Sequence, residues 1–334
     1  MRLLVLGGTA WLGRCVAETA VELGHRVTCL ARGESGTTAG GAVFVHADRD
    51  RPDAYDEVAT DEWDVVVDVS RQPGHVRRAV AALTDRSARF VFTSSGNVYA
   101  DHGTPGADEG AALLPPLDGD VMASMETYGP AKVACERHVR TAFGADRSLI
   151  LRVGLIGGPG DLFDRTGYWP LRFARPAVPD ASVLVPDAPA LSTQVIDVRD
   201  LARWIVESGE HRLSGTFNAT GESMPLPQHL DVARAVAGHT GAIVPVDQEW
   251  LLAHGVEPWM GDRSLPLWLP LPEYAGFSAR DSSAARAAGL STRPLADTLA
   301  DTLAWELATG PDRPRKAGLS AADERSLLDA AQAA

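Results

Sequence analysis

Tyr128 and Lys132 are the residues whose types and spacing best suit chemistry. Four positions apart, they share one face of any helix that carries both. A phenol beside an ammonium can be a general base toward an alcohol, because the cation favours the phenolate. In its neutral form it is a general acid toward a carbonyl. Ser95 ends an apolar run within Thr93-Ser94-Ser95-Gly96-Asn97-Val98-Tyr99, and its hydroxyl would donate to the same substrate oxygen. Ser94 competes for that role. Tyr-x-x-x-Lys also arises by chance on exposed helices, so its meaning depends on the elements that would position it.

The first such element lies at the N-terminus. Leu3 to Leu6 reads as a buried strand, and Leu12 to Leu23 as a helix. Gly7-Gly8-Thr9-Ala10-Trp11-Leu12-Gly13 forms the turn between them. Gly7 allows a tight turn at the strand's carboxyl end, and Gly13 lets the helix lie close to the sheet. The N–H groups of Thr9, Ala10, Trp11 and Leu12 and the helix N-terminus then converge where a pyrophosphate would sit. Ala10 occupies the middle position of a three-glycine fingerprint and is small enough to keep the site open. A turn with two glycines is weak evidence alone.

The following segments strengthen it. His25 to Gly33 reads as a second strand, and its end would meet the adenosine ribose. Ala31 and Arg32 stand where an NAD site would carry an acid. A cation there suits a 2′-phosphate, which favours NADP(H) over NAD(H); the alternative for Arg32 is a solvated turn residue. Val43 to His46 predicts a third strand running into Asp48 and Arg49. Asp48 is a candidate for the adenine amino group or for a helix cap. Trp63 to Val69 is a nearly continuous apolar fourth strand, as parallel buried strands are. Its exit places Val69 and Ser70 on the same edge. His75 to Leu83 reads as a helix, and Arg89 to Thr93 as the fifth strand. Strands alternating with helices over short connections predict an α/β fold with a doubly wound parallel sheet.

Composition sets outer limits. A chain of 334 residues can hold one large α/β domain, or a large domain with a smaller lobe. The net charge of -13 argues against nucleic acid as a partner. Cys15, Cys29 and Cys135 are widely spaced in apolar surroundings, and the nine histidines form no ligand pair, so no metal is expected. The N-terminal apolar run breaks too early for a signal peptide, and no stretch is long enough to span a membrane. The expected compartment is the cytoplasm.

Together these residues resemble the short-chain dehydrogenase/reductases, in their extended or atypical NAD-dependent epimerase/dehydratase-like branch. The resemblance is carried by Gly7 to Gly13, Thr93-Ser94-Ser95 with Val98-Tyr99, and Tyr128 with Lys132. Arg152 to Pro159 and Val195 to Ala202 agree with it, and it extends from Met1 to about Trp305. It implies a Rossmann domain in which Tyr128 is the acid/base, Lys132 its partner and holder of the nicotinamide ribose, and Ser95 the orienting hydroxyl. Two departures stand out: Ala10 is a trait of atypical members, some of them described as RNA-binding proteins or regulators, and the ribose-binding acid is missing.

The second half reads as a substrate lobe. Leu149 to Val153 is a sixth strand whose exit, with Leu155, passes the nicotinamide. Asn97, Arg165, Tyr168 and Trp169 are candidate substrate contacts, with lobe packing the alternative for the two aromatics. Asp197 and Asp200 suit helix capping. Trp250 to Tyr274 reads as irregular structure, and Leu295 to Leu307 as an amphipathic helix. Residues 1–155 would form the Rossmann core. The lobe would occupy 156–310, with about 190–220 returning to the core. The tail, 311–334, would carry a helix from Ala321 to Ala331 that docks elsewhere or in a homodimer. The expected activity is hydride transfer at a hydroxyl or carbonyl carbon of a nucleotide-sugar or a small ketone, aldehyde or alcohol. A non-catalytic dinucleotide-binding regulator and an RNA-binding protein are the alternatives.

Overall fold

Arg2–Leu6 (β1) shows why the chain folds as it does. Its side chains alternate between faces, and Leu3 through Leu6 are all fully buried, so both faces must be covered. A computed structural model describes residues 1–333. After β1 come α1 (Trp11–Glu22), β2 (Arg26–Ala31), β3 (Val43–His46), β4 (Trp63–Asp68), α2 (Pro73–Leu83), β5 (Ser87–Ser95) and α3 (Tyr128–Arg147). The next elements are β6 (Ser148–Val153), β7 (Leu155–Gly157), α4 (Arg165–Ala174), β8 (Val183–Pro186), β9 (Ser192–Asp197), α5 (Val198–Glu210) and β10 (Gly215–Ala219). The chain continues with β11 (Ser223–Pro225), α6 (Leu226–Val236), β12 (Ile243–Val246), α7 (Gln248–Ala253), β13 (Glu257–Pro258) and β14 (Ser264–Leu265). It closes with α8 (Ser283–Ala287), α9 (Leu295–Thr309) and α10 (Ala321–Ala333).

Seven strands form the central sheet in the order β10-β6-β5-β4-β1-β2-β3, every pair parallel. Leu3, Val5, Val65 and Val67 meet Val16, Ala20, Leu201 and Ile205 of α1 and α5 on one face. Leu4, Leu6, Val66, Phe90 and Phe92 meet Val80, Leu83, Val139 and Phe143 of α2 and α3 on the other. This period-two division of the strands is what the helices on each face require. The strand order reverses between β1 and β4, so the carboxyl ends of these strands flank a crevice. Gly144, at φ 68°, interrupts α3 near its end and turns the chain into β6.

A second core contains Trp169, Phe173, Leu184, Leu230, Leu251, Trp268 and Leu299. Trp250 to Tyr274 is less irregular than expected, since it includes most of α7 and the paired strands β13 and β14. Ala285 of α8 and Leu290 pack on the main sheet's core, a return that the sequence did not suggest. The tail docks on its own lobe: Leu327 and Leu328 are buried there, and Glu324 pairs with Arg172 at 2.8 Å. No helix among the described residues is long and apolar enough to cross a membrane.

Candidate active site

The carboxyl edge of the sheet opens into a cavity of about 1330 Å³, bounded on the far side by the lobe. Gly7, Thr9, Ala10, Trp11, Leu12 and Gly13 all line it. Gly7 has φ 97°, and a Cβ on Gly13 would stand 2.2 Å from the Gly7 carbonyl oxygen. The cradle is therefore one that only glycine permits at these two points. Ala10 is the cap residue of α1 and makes no side-chain cap, and the first turn carries no acid. The helix N-terminus thus presents free N–H groups and its positive dipole end to the cavity, and these fit a dinucleotide pyrophosphate. Trp11 donates from Nε1 to the Pro159 carbonyl at 2.9 Å, which ties the turn to the loop after β7.

At the adenosine end, Arg32 is half exposed and pairs with Glu34 at 3.1 Å. Asp48 lines the cavity, and its Oδ1 accepts from the Asp50 N–H. Arg49, the other residue at the end of β3 considered for cofactor contact, also lines the cavity. Its buried guanidinium grips both oxygens of Asp68, at 2.9 and 2.6 Å, and donates to the Tyr55 hydroxyl. Burial opposes its charge, but Asp68 more than compensates. Arg49 braces the end of β4 because a carboxylate inside the fold claims its fork first. Val69 packs its Cγ2 against Gly7, and the Ser70 carbonyl accepts from Lys132.

Lys132 is only 3% exposed. Its Nζ donates to the carbonyls of Ser70 at 2.7 Å and Thr93 at 2.6 Å, which joins the ends of β4 and β5. It sits 4.7 Å from the Phe92 ring centroid and 6.0 Å from that of Tyr128. Two of three ammonium donors are used, so one remains for a ligand. Tyr128 opens α3, half-buried, and faces the same cavity. Gly129 makes this approach feasible: a Cβ there would lie 2.3 Å from the Asn97 carbonyl oxygen. The glycine was visible in Tyr128-Gly129-Pro130, but nothing local showed what it would touch.

The two serines separate by direction. Ser94 donates from Oγ to Glu136 at 2.6 Å, and Glu136 holds Arg152 through both of its oxygens. Arg152 also reaches the Tyr99 hydroxyl, which donates to Asn218. Ser95 instead bonds with Asn97, its Oγ donating to Oδ1 at 3.0 Å and accepting from the N–H, and both residues line the cavity. Ser94 is committed to a buried ion pair that sequence reading missed, because its members come from distant parts of the chain.

Leu155 and Arg165 line the cavity, but Tyr168 and Trp169 do not. Both aromatic residues are buried in the lobe, with Trp169 Nε1 donating to the Pro266 carbonyl at 2.8 Å. Only the first turn of α4 reaches the cavity, so packing, the alternative for this pair, is what the fold shows. Phe163, Trp259, Arg280 and Lys316 line the cavity as well and were not anticipated.

Residues 3–219 match the NAD dependent epimerase/dehydratase family, and the chain belongs to it. It is an enzyme of that family, in the class that works with a nicotinamide dinucleotide. Solved structures with the same fold include a UDP-N-acetylglucosamine 4-epimerase from Bacillus cereus. That protein is 18% identical, with a TM-score of 0.66, and the match covers 94% of this chain and 98% of that one. A UDP-glucuronic acid 4-epimerase from Bacillus cereus in complex with NAD is 14% identical, with a TM-score of 0.64 and coverage of 92% and 99%. The Bordetella bronchiseptica enzyme WbmG, in complex with NAD and UDP, is 18% identical, with a TM-score of 0.64 and coverage of 93% and 96%. Among curated proteins, none matches the sequence.

Proposed function

We propose that this protein is an NADP(H)-dependent epimerase or reductase acting at a hydroxyl-bearing or carbonyl carbon of a nucleotide-sugar or a small ketone, aldehyde or alcohol. The carrying observation is that Tyr128, Lys132 and Ser95 face one cavity with the glycine turn. When bound, the nicotinamide supplies reversible hydride exchange. Tyr128 takes the proton from a substrate hydroxyl in one direction and returns it to the oxygen in the other. Ser95 turns its single O–H from Asn97 to that oxygen and orients it. Lys132 turns its remaining N–H toward the ribose and keeps positive charge beside the phenol. Gly7 and Gly13 keep the turn open for the pyrophosphate, and Trp11 closes one side.

Arg32 supports the preference for NADP(H), since its guanidinium at the end of β2 is suited to a 2′-phosphate. Glu34 competes for it and would have to yield. UDP and UDP-sugars appear among the ligands and substrates of proteins with this fold, which is what favours a nucleotide-sugar.

The test is Tyr128→Phe, assayed for turnover and by calorimetric titration with NADP⁺ and NAD⁺. Loss of a positioned acid/base should lower turnover by about 10²–10⁴-fold with dinucleotide affinity nearly unchanged. Undiminished turnover would remove Tyr128 from the mechanism.

A further inference from the structure

The lobe reaches the cavity through two loops, and both are bonded to the segment that follows α9. The first loop runs from β7 into α4 and puts Leu162, Phe163 and Arg165 on the cavity. Trp11 ties its near end at Pro159. Its far end is Asp164, 2% exposed, in a left-handed conformation at φ 62° that a residue with a Cβ rarely adopts. Asp161 holds the turn from within, accepting from the N–H groups of Phe163 and Thr166. The Asp164 carboxylate turns instead to the tail. It accepts from the Lys316 N–H at 2.9 Å and pairs with Arg313, with Arg315 3.7 Å away.

The second loop, between β13 and β14, puts Trp259 and Met260 on the cavity. Its Gly261 N–H donates to the Lys316 carbonyl at 3.0 Å, and Gly261 and Ala317 form an isolated parallel bridge. Lys316 therefore bonds through its backbone to both loops, by its N–H to one and its carbonyl to the other. Its side chain lines the cavity, with Nζ 5.4 Å from the Phe163 ring. Behind it, Glu306 of α9 is fully buried and takes Arg315 at 3.2 and 2.6 Å and Arg313 at 3.0 Å. Gly167 makes room for that carboxylate, since a Cβ there would lie 2.2 Å from Glu306 Oε1.

Two carboxylates and two guanidiniums thus form a closed group whose formal charges balance. Buried carboxylates are costly without such partners. Burial opposes the charge of Arg313, but Asp164 and Glu306 more than compensate. Among the described residues, none of the group's side-chain bonds reaches the dinucleotide end at Gly7 to Gly13, Arg32 or Ser70. We propose that the segment from Arg313 to Ala317 is a working part of the active site. Arg313 and Arg315 are positioning residues: through Asp164 and Glu306 they hold the two loops against the cavity and keep water from the carbon that reacts beside Tyr128. The proposal rests on the preceding reading only for where that carbon lies.

The test is hydrogen exchange of the full chain with saturating NADP⁺, read by mass spectrometry, alongside acrylamide quenching of bound NADPH. Acrylamide reaches the fluorescent nicotinamide only where solvent does. Asp164→Gly suits the left-handed backbone, which glycine adopts freely, and removes the carboxylate. In this variant the amides of 161–165 and 259–263 should exchange about tenfold faster or more, with those of 4–14 and α10 unchanged. Bound NADPH should be quenched more readily, while its affinity stays nearly the same. Arg313→Gln leaves Glu306 paired with Arg315, so it should give a smaller change of the same kind, and it decides the matter if Asp164→Gly does not fold. Unchanged exchange in the loops of both variants overturns the proposal, because the group would not hold them. A rise shared equally by α10 also overturns it, since the group would then serve only the stability of the lobe. So does faster exchange with unaltered quenching, because the loops would not shield the reacting carbon. If NADPH does not bind, the dinucleotide reading fails, and the exchange comparison without it still decides whether the segment holds the loops.

Discussion

Glu136→Gln perturbs the buried pair behind Ser94 and Ser95. Glu136 and Arg152 are each 2% exposed, and the carboxylate takes Arg152 Nε at 3.1 Å, Nη2 at 2.9 Å and Ser94 Oγ at 2.6 Å. The amide keeps the shape but sets an N–H₂ donor against the guanidinium and leaves a buried cation without a counter-charge. Breaking such a pair from one side costs about 3–5 kcal/mol. Arg152 keeps its bonds to the Tyr99 hydroxyl and the Glu109 carbonyl, so the lower end, about 3 kcal/mol, is expected. Thermal unfolding should report this as a fall of roughly 6 °C, taking about 2 °C per kcal/mol for a large domain. Arg152→Met should cost a similar amount, because it strands the carboxylate. The double variant Glu136→Met with Arg152→Met should cost far less than the two single losses together, since replacing a buried pair by apolar groups is often nearly neutral. Single losses below about 1 kcal/mol, or strict additivity in the double variant, would refute the reasoning, because the pair would then not behave as coupled buried charges.

Arg32→Ala should weaken NADP⁺ binding much more than NAD⁺ binding in calorimetric titration. Equal losses would show that Arg32 serves only its pair with Glu34. His229 is fully buried, with Nδ1 3.2 Å from Thr193 Oγ1, and burial pushes its pKa down from 6.5 to about 4. Because the folded pKa lies below the unfolded one, the unfolded chain binds the extra proton between these values. The stability tied to His229 is then intact above about pH 6.5 and falls away toward pH 4, with a full span of about 3 kcal/mol at most. His229→Gln should flatten that part of a stability–pH curve measured by urea unfolding. An acid slope unchanged from wild type would mean that another group controls it.

Local pattern made the first half of the chain readable. The continuous apolar run Leu3 to Leu6, the glycines at 7 and 13, and the apolar run Val65 to Val67 each reflect constraints that act within a few residues. Tyr128 and Lys132 were visible for the same reason, because helix geometry alone places them on one face. The two readings left open for Tyr168 and Trp169 have the opposite origin. Their aromatic character was plain, but which side of α4 met the lobe core depended on Pro266, almost a hundred residues away.

The sequence by itself determined the parallel sheet, the dinucleotide turn and the Tyr–Lys pair, since each follows from short-range periodicity or from what glycine alone permits. Tertiary structure decided the rest. It turned Arg49 into a brace through Asp68 and committed the Ser94 hydroxyl to Glu136, while that of Ser95 bonds only with Asn97 beside it on the cavity. It also set Arg280 and Arg165 on one cavity without acid partners among the described residues. A charged side chain's role depends on whether a counter-charge lies within hydrogen-bond reach. That proximity is created only when segments far apart in the chain fold together.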